Sequence, residues 1–190
     1  MGDAGQGGGS GLCPVYGTDG NGPYLDFDAN GYIPMNVRVS PDATVFVVVQ
    51  SDQANSNAYG WYFGTARQAN GLIVHPWLNG KNTDFYVMDY ALGYHNTGGV
   101  NPVSITGPAV YALSIGGSGT VTGRHGINGS DSSYSDSFTR VSDTMLGYIG
   151  ADAYDLAGRR GDGKYREFLM YDRALSAQEM ADVESYLITK

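Results

Sequence analysis

The chain has 190 residues, enough for one domain with a single core, and no linker-like break in composition divides it into two. Glycine supplies 29 residues and charged side chains only 16%, with 16 Asp against three Glu and three Lys; this balance of turn and strand formers excludes a helical bundle, a coiled coil and a doubly wound α/β sheet. The net charge of −8, with 11 basic residues of which only Arg159 and Arg160 are adjacent, excludes nucleic acid and an anionic membrane surface as partners.

Residues 1–22 form a glycine-rich arm with little to bury. Alone in water such a segment is disordered, so an ordered arm implies a neighbouring subunit that holds it or a fold-back onto its own domain. Its start has no basic region and no apolar stretch of a secretory signal. Cys13 is the only cysteine, which excludes an intrachain disulfide and fits a small buried or half-buried residue. The domain proper is expected over 23–190. Tyr24 to Asp28 reads as a strand ending in the turn Ala29-Asn30-Gly31. Thr44 to Val49 is β-branched and aromatic without alternation, the pattern of a strand buried on both faces. Its apolar run Val45 to Val49 is too short to cross a bilayer. Strand-like stretches follow at 59–63, 71–75, 85–88, 110–115, 120–124, 145–149 and 165–171, while Ser130 to Ser137 reads as a loop. Many short strands at this spacing predict a β-sandwich or barrel. One helix is expected, at the C-terminus. Ser176 and Glu179 make a capping box, Leu175 and Met180 take the staple positions, and Met180, Val183 and Leu187 form a stripe that should dock on the sandwich edge.

The ending from Gly163 to Glu179, with Tyr171-Asp172-Arg173-Ala174-Leu175-Ser176 at its centre, resembles the closing strand and helix of bacterial and phage laminin-G-like domains of the concanavalin A-like lectin/glucanase superfamily. Leu25 to Ile33, Thr44 to Gln50, the Gly126-Ile127-Asn128-Gly129 hairpin and Gly147 to Ala151 are similar to other pieces of that pattern, in order over about residues 24–188. The resemblance implies an all-β fold: a two-sheet antiparallel jelly roll of roughly a dozen strands with a short C-terminal helix. It does not fix a function, because the fold hosts lectins, glycosidases, adhesion modules and virion proteins.

Hydrolysis of a glycoside needs two carboxylates about 5–10 Å apart. Glucanases of the superfamily carry them as E-x-D-x-E on one strand, and this chain has no such motif. Asp26 and Asp28 share a strand face but read as turn and surface acids. His75, His95 and His125 are scattered, with no metal or triad spacing. No cofactor is expected apart from calcium, which laminin-G-like domains often hold between loops; Asp131, Asp136, Asp152 and Asp155 are the candidates by residue type. Glycan contact would rest on aromatics, since a sugar stacks its apolar face on a ring. The candidates are Trp61, Trp77, Tyr90, Tyr94 and His95, each weighed against a core role. Arg160-Gly161-Asp162 spells an integrin-type tripeptide, and three residues carry little weight. The expectation is a non-enzymatic structural and recognition protein on the exterior of an assembly. In first place stands a phage virion component, a capsid decoration protein or tail-fibre module at the virion surface, touching neighbouring subunits through residues 1–22 and, in part, cell-surface glycans. The alternatives are a carbohydrate-binding or adhesion module of a secreted bacterial protein, extracellular or on the cell surface, and last a glycoside hydrolase.

Overall fold

The structure, a computed structural model, describes residues 13–28, 31–51, 63–65, 72–77, 82–88, 94–100, 107–117, 120–137, 143–151 and 162–190. Among them are thirteen strands: β1 (Val15–Asp19), β2 (Gly22–Asp28), β3 (Ile33–Val39), β4 (Ala43–Ser51), β5 (Phe63–Thr65), β6 (Leu72–Trp77), β7 (Asn82–Met88), β8 (Tyr94–Val100), β9 (Ala109–Gly116), β10 (Thr120–Ile127), β11 (Ser130–Ser137), β12 (Asp143–Ile149) and β13 (Asp162–Tyr171). One helix, α1 (Ala177–Thr189), follows. A seven-stranded sheet runs β1-β2-β13-β4-β9-β10-β11 and a six-stranded sheet β3-β12-β5-β6-β7-β8; their strand pairs are antiparallel. The last strand of the chain, β13, sits between β2 and β4.

The central strands β4 and β9 explain the packing. Side chains of a strand alternate between faces. Val45, Val47 and Val49 therefore meet Tyr111, Leu113 and Ile115, together with Val37 of the second sheet, in a core between the sheets. Phe46 and Val48 turn outward with Val110 and Ala112, and Leu175, Met180 and Leu187 cover them. The double burial read from Thr44–Val49 is what the structure shows. The docking site of the helix differs from expectation: α1 lies over the outer face of the central strands, not on the sandwich edge. The physical reason is that Phe46, Val48, Val110 and Ala112 make an apolar patch there, which the terminal segment covers. Glu184 is also drawn to the buried side of α1, with 1% exposure, while Val183 is half-buried. Lys190 pairs with Glu167 of β13 and ties down the far end of the helix.

Residues 130–137, expected as a loop, form β11. Asn128 and Gly129 carry φ of 51° and 79°, the two positive values of a tight two-residue hairpin turn. All eight residues from Thr120 to Ile127 pair with Ser137 to Ser130 across it. As an outermost strand β11 needs no apolar neighbour beyond it, so serine and aspartate suffice. Asn128 also fastens the turn to β9, its amide donating to Val110 O at 2.9 Å and its Oδ1 accepting from Val110 N at 2.8 Å.

The boundary drawn at residues 22 and 23 falls inside a hairpin. Val15–Asp19 pairs residue by residue with Asp26–Gly22 and folds back on its own domain. Arg166 locks this hairpin: its guanidinium donates to both Asp19 carboxylate oxygens at 2.9 and 2.8 Å and to Gly22 O at 2.9 Å. That contact, with the Asn21 amide, holds the Asp19 carboxyl below its ordinary range. Cys13 is exposed, contrary to expectation. It precedes an edge strand, where no second layer reaches.

Candidate functional site

A groove of about 670 Å³ lies on the outer face of the seven-stranded sheet. The pairings Ser114↔Arg124↔Ser133 and Thr122↔Ser135 place four hydroxyls around one guanidinium on the β9–β10–β11 floor. Gly123 contributes backbone, and Ala174 to Ala177 form the opposite wall where β13 passes into α1. Among the described residues Arg124 is the only charged side chain of the lining, and none of them is Asp or Glu.

The wall is held in place by buried hydroxyls. Thr44 is fully buried and Ser114 2% exposed. The Thr44 hydroxyl donates to Arg173 O at 2.9 Å and accepts from the Leu175 amide at 3.0 Å. Ser114 Oγ lies 3.0 Å from Thr44 Oγ1 and 3.3 Å from Leu175 O. A satisfied buried network of this kind fixes one geometry, because any broken member strands a desolvated partner. The helix end behind the wall is occupied by its own carboxylate. The Ser176 amide and hydroxyl each donate to Glu179 Oε2 at 2.9 Å, the Glu179 amide donates to Ser176 Oγ at 3.3 Å, and Arg173 holds both carboxylate oxygens at 3.0 and 2.7 Å. This capping box was legible in the sequence. With Glu179 seated there, the helix terminus itself offers no vacancy to an anion.

The Arg173 contacts, then the Ser176 donors, pull the Glu179 carboxyl from 4.5 to about 2. A carboxyl whose folded value is depressed stabilises the fold above its unfolded value and loses that contribution as it protonates. The excess stability of the wild type over Glu179→Gln is therefore expected to be full above pH 4.5 and to vanish as pH falls through about 2. Denaturation series at stepped pH measure it; a difference that does not change with pH over that window would contradict the assignment.

Of the site residues singled out from sequence, the described ones are not among the lining of this groove. Trp61, Tyr90, Asp152 and Asp155 lie outside the described residues. Trp77 ends β6 opposite Asn82, while Tyr94 and His95 begin β8 opposite Met88 and Val87. Six residues of β7 separate those ends, about 20 Å at the rise of a strand. No single sugar ring bridges them. Asp131 and Asp136 both sit on β11, about 17 Å apart by the same rise, and pair with Gly126 and Val121. They cannot share one calcium ion, whose oxygen ligands lie within about 2.6 Å. Among the described residues no group of three or more His, Cys, Asp or Glu is placed to hold a metal. Asp162 opens β13, and Arg160 and Gly161 fall outside the described residues. Sequence reasoning missed the groove because its residues are small hydroxyls spread over three strands. The only early signal was the Asn-Gly turn, which pairs β10 with β11.

Comparison with solved structures settles the architecture. Domain 4 of AbnA, an extracellular GH43 arabinanase from Geobacillus stearothermophilus solved in complex with arabinotriose, is similar with a TM-score of 0.71 at 16% identity, over 92% of this chain and 82% of that one. The fold is a jelly-roll β-sandwich. A heptameric SAP-like pentraxin from Limulus polyphemus is similar at 0.61 and 12% identity, over 90% and 80% of the two chains. The botulinum neurotoxin serotype D binding domain gives 0.68 and 13%, over 93% of this chain and 46% of that one, so the chain spans about half of the toxin domain. No family model matches the sequence, and no curated protein matches it. The laminin-G-like resemblance thus stays with the sequence motifs, while the sandwich stands on its own.

Proposed function

We propose that this jelly roll is a non-enzymatic recognition module that binds carbohydrate in the groove between β9–β11 and the start of α1. The observation that carries this reading is the lining: hydroxyls of Thr122, Ser133 and Ser135 beside Arg124, without a carboxylate among the described residues. Sugars exchange hydrogen bonds with such groups, and glycoside hydrolysis would need two acids at the site. The likeness to an arabinanase domain solved with arabinotriose, and to a toxin receptor-binding domain, supports recognition as the task.

A glycan array screened with the full chain, followed by titration of the best oligosaccharide, tests the reading. Arg124→Ala, and Ser133→Ala with Ser135→Ala, are expected to weaken binding about tenfold or more, since each lost hydrogen bond costs about 0.5–1.5 kcal/mol and 1.4 kcal/mol is tenfold. The melting temperature should hold. A blank array overturns carbohydrate as the ligand. Binding that survives these changes but falls with Trp61→Ala or Trp77→Ala overturns the groove as the site.

The finer placement is on the exterior of an assembly, as a phage capsid decoration protein or tail-fibre module at the virion surface. What supports it is sequence: a lone cysteine and a glycine-rich segment leading into an edge strand. The module of a secreted bacterial adhesin shares the same fold and groove. Detection of the chain by mass spectrometry in purified particles, or in culture supernatant without them, decides between the two.

A further inference from the structure

We infer that the outer edge of β1 is a self-association surface on which a second copy of this chain adds its own β1, antiparallel, about a two-fold axis at Gly17. Four strands end the two sheets. Proteins guard such edges with charge, proline or irregularity against pairing with other chains. β11 carries Asp131 and Asp136, β3 carries Pro34 and Arg38, and β8 carries Gly98 and Gly99 beside a register shift. β1 has no proline and pairs with β2 without a register shift. Its one charge, Asp19, is already engaged by Arg166 and Lys164. Val15 and Tyr16, 67% and 69% exposed, are two of the four large hydrophobics that the described residues leave open to solvent.

A second copy fits this edge by its own sequence. With Gly17 on the axis, Tyr16 falls opposite Thr18 of the other copy, an aromatic against a β-branched residue, a favoured cross-strand pair. Val15 falls opposite Asp19, so like charges do not meet. The central glycine is not a gap: a Cβ there would lie 2.5 Å from the Tyr24 ring, which already fills that space. That ring is steadied by Lys164 and Arg166, 4.7 and 5.4 Å from its centroid. Five residues a side bury less than the roughly 1,200 Å² of a standard stable interface, so the pairing is weak, with Kd on the order of micromolar to millimolar. Self-pairing at β1 is independent of sugar binding in the groove, and either can fail alone.

Sedimentation of the full chain from about 1 µM to about 1 mM, a range chosen to bracket that affinity, should show a monomer–dimer equilibrium. Val15→Asp should weaken it about tenfold, because it sets a second carboxylate directly opposite Asp19 of the other copy at both ends of the paired strands, with the melting temperature unchanged. In a Cys13→Ser background, Tyr16→Cys mixed with Thr18→Cys should form a mixed disulfide under mild oxidation. A wild type that is monomeric throughout, a dimer indifferent to the added aspartate, or absence of the mixed disulfide overturns the inference.

Discussion

Phe46→Ala is expected to lower the unfolding free energy by about 3–5 kcal/mol, the range for emptying a fully buried aromatic site. Phe46 has no exposed surface and meets Val48, Val110, Ala112, Leu175, Met180 and Leu187 under the helix. Its ring also stands edge-on to Tyr171, with centroids 6.1 Å apart. The site cannot collapse easily, because its floor is sheet backbone and its roof is a helix held at both ends, by Thr44 and by the Lys190–Glu167 pair. For a chain of this length 1 kcal/mol moves the melting point by about 2–4 °C, so a fall of roughly 6–20 °C should be seen. Hydrogen exchange should show the amides of α1 losing protection before those of β4 and β9. A variant that melts within about 2 °C of wild type, less than 1 kcal/mol by the same scaling, would mean that the helix is not a structural part of the core.

Gly150→Ala should be nearly as damaging although it adds one methyl group. Gly150 has φ of 81°, and a Cβ there would stand 2.5 Å from Phe27 Cδ1 and 2.7 Å from its Cε1. The left-handed backbone costs an L-residue about 1–2 kcal/mol, and displacing a packed ring costs about 1–3 kcal/mol more. Phe27 cannot withdraw freely: it is fully buried and lies tilted against Tyr165, with ring centroids 4.4 Å apart. Gly20→Ala provides the control, since nothing lies within 4 Å of its Cβ. Chemical denaturation of the two variants side by side should give a loss of about 2–5 kcal/mol for the first, the sum of those two costs, and little for the second. Equal effects would show that the Phe27 contact is not what requires glycine.

The contrast between these glycines marks the limit of what the sequence made legible. Local signals were readable: the Ser176–Glu179 box, the Asn128–Gly129 turn and the unbroken apolar run of β4 each depend on residues close in the chain. β11 was not, because Ser130 to Ser137 looks like a loop until its partner β10 is known, and its strand character comes wholly from that pairing. β1 hid in a glycine-rich arm for the same reason, with Arg166 and Tyr24 supplying from a distance what its own residues lack. The helix stripe was readable too: Met180 and Leu187 are buried and Val183 packs half-buried against the same cluster. Its place over β4 and β9, and the burial of Glu184, followed only once the outward residues of those strands were known. The candidate site was the least legible part. Hydroxyls on three strands form a groove through register, and aromatic count pointed instead to Trp77 and Tyr94, which register holds apart.

The position of β13 governs how the protein can be made. Until the ribosome has released residues beyond Tyr171, β2 and β4 lack the strand that joins them, and the Val45–Val49 ribbon of a nascent chain has an open side. Assembly of the larger sheet therefore waits until β13 has left the ribosome, and chains cut short before Asp162 are substrates for aggregation and quality control rather than smaller working versions of the domain.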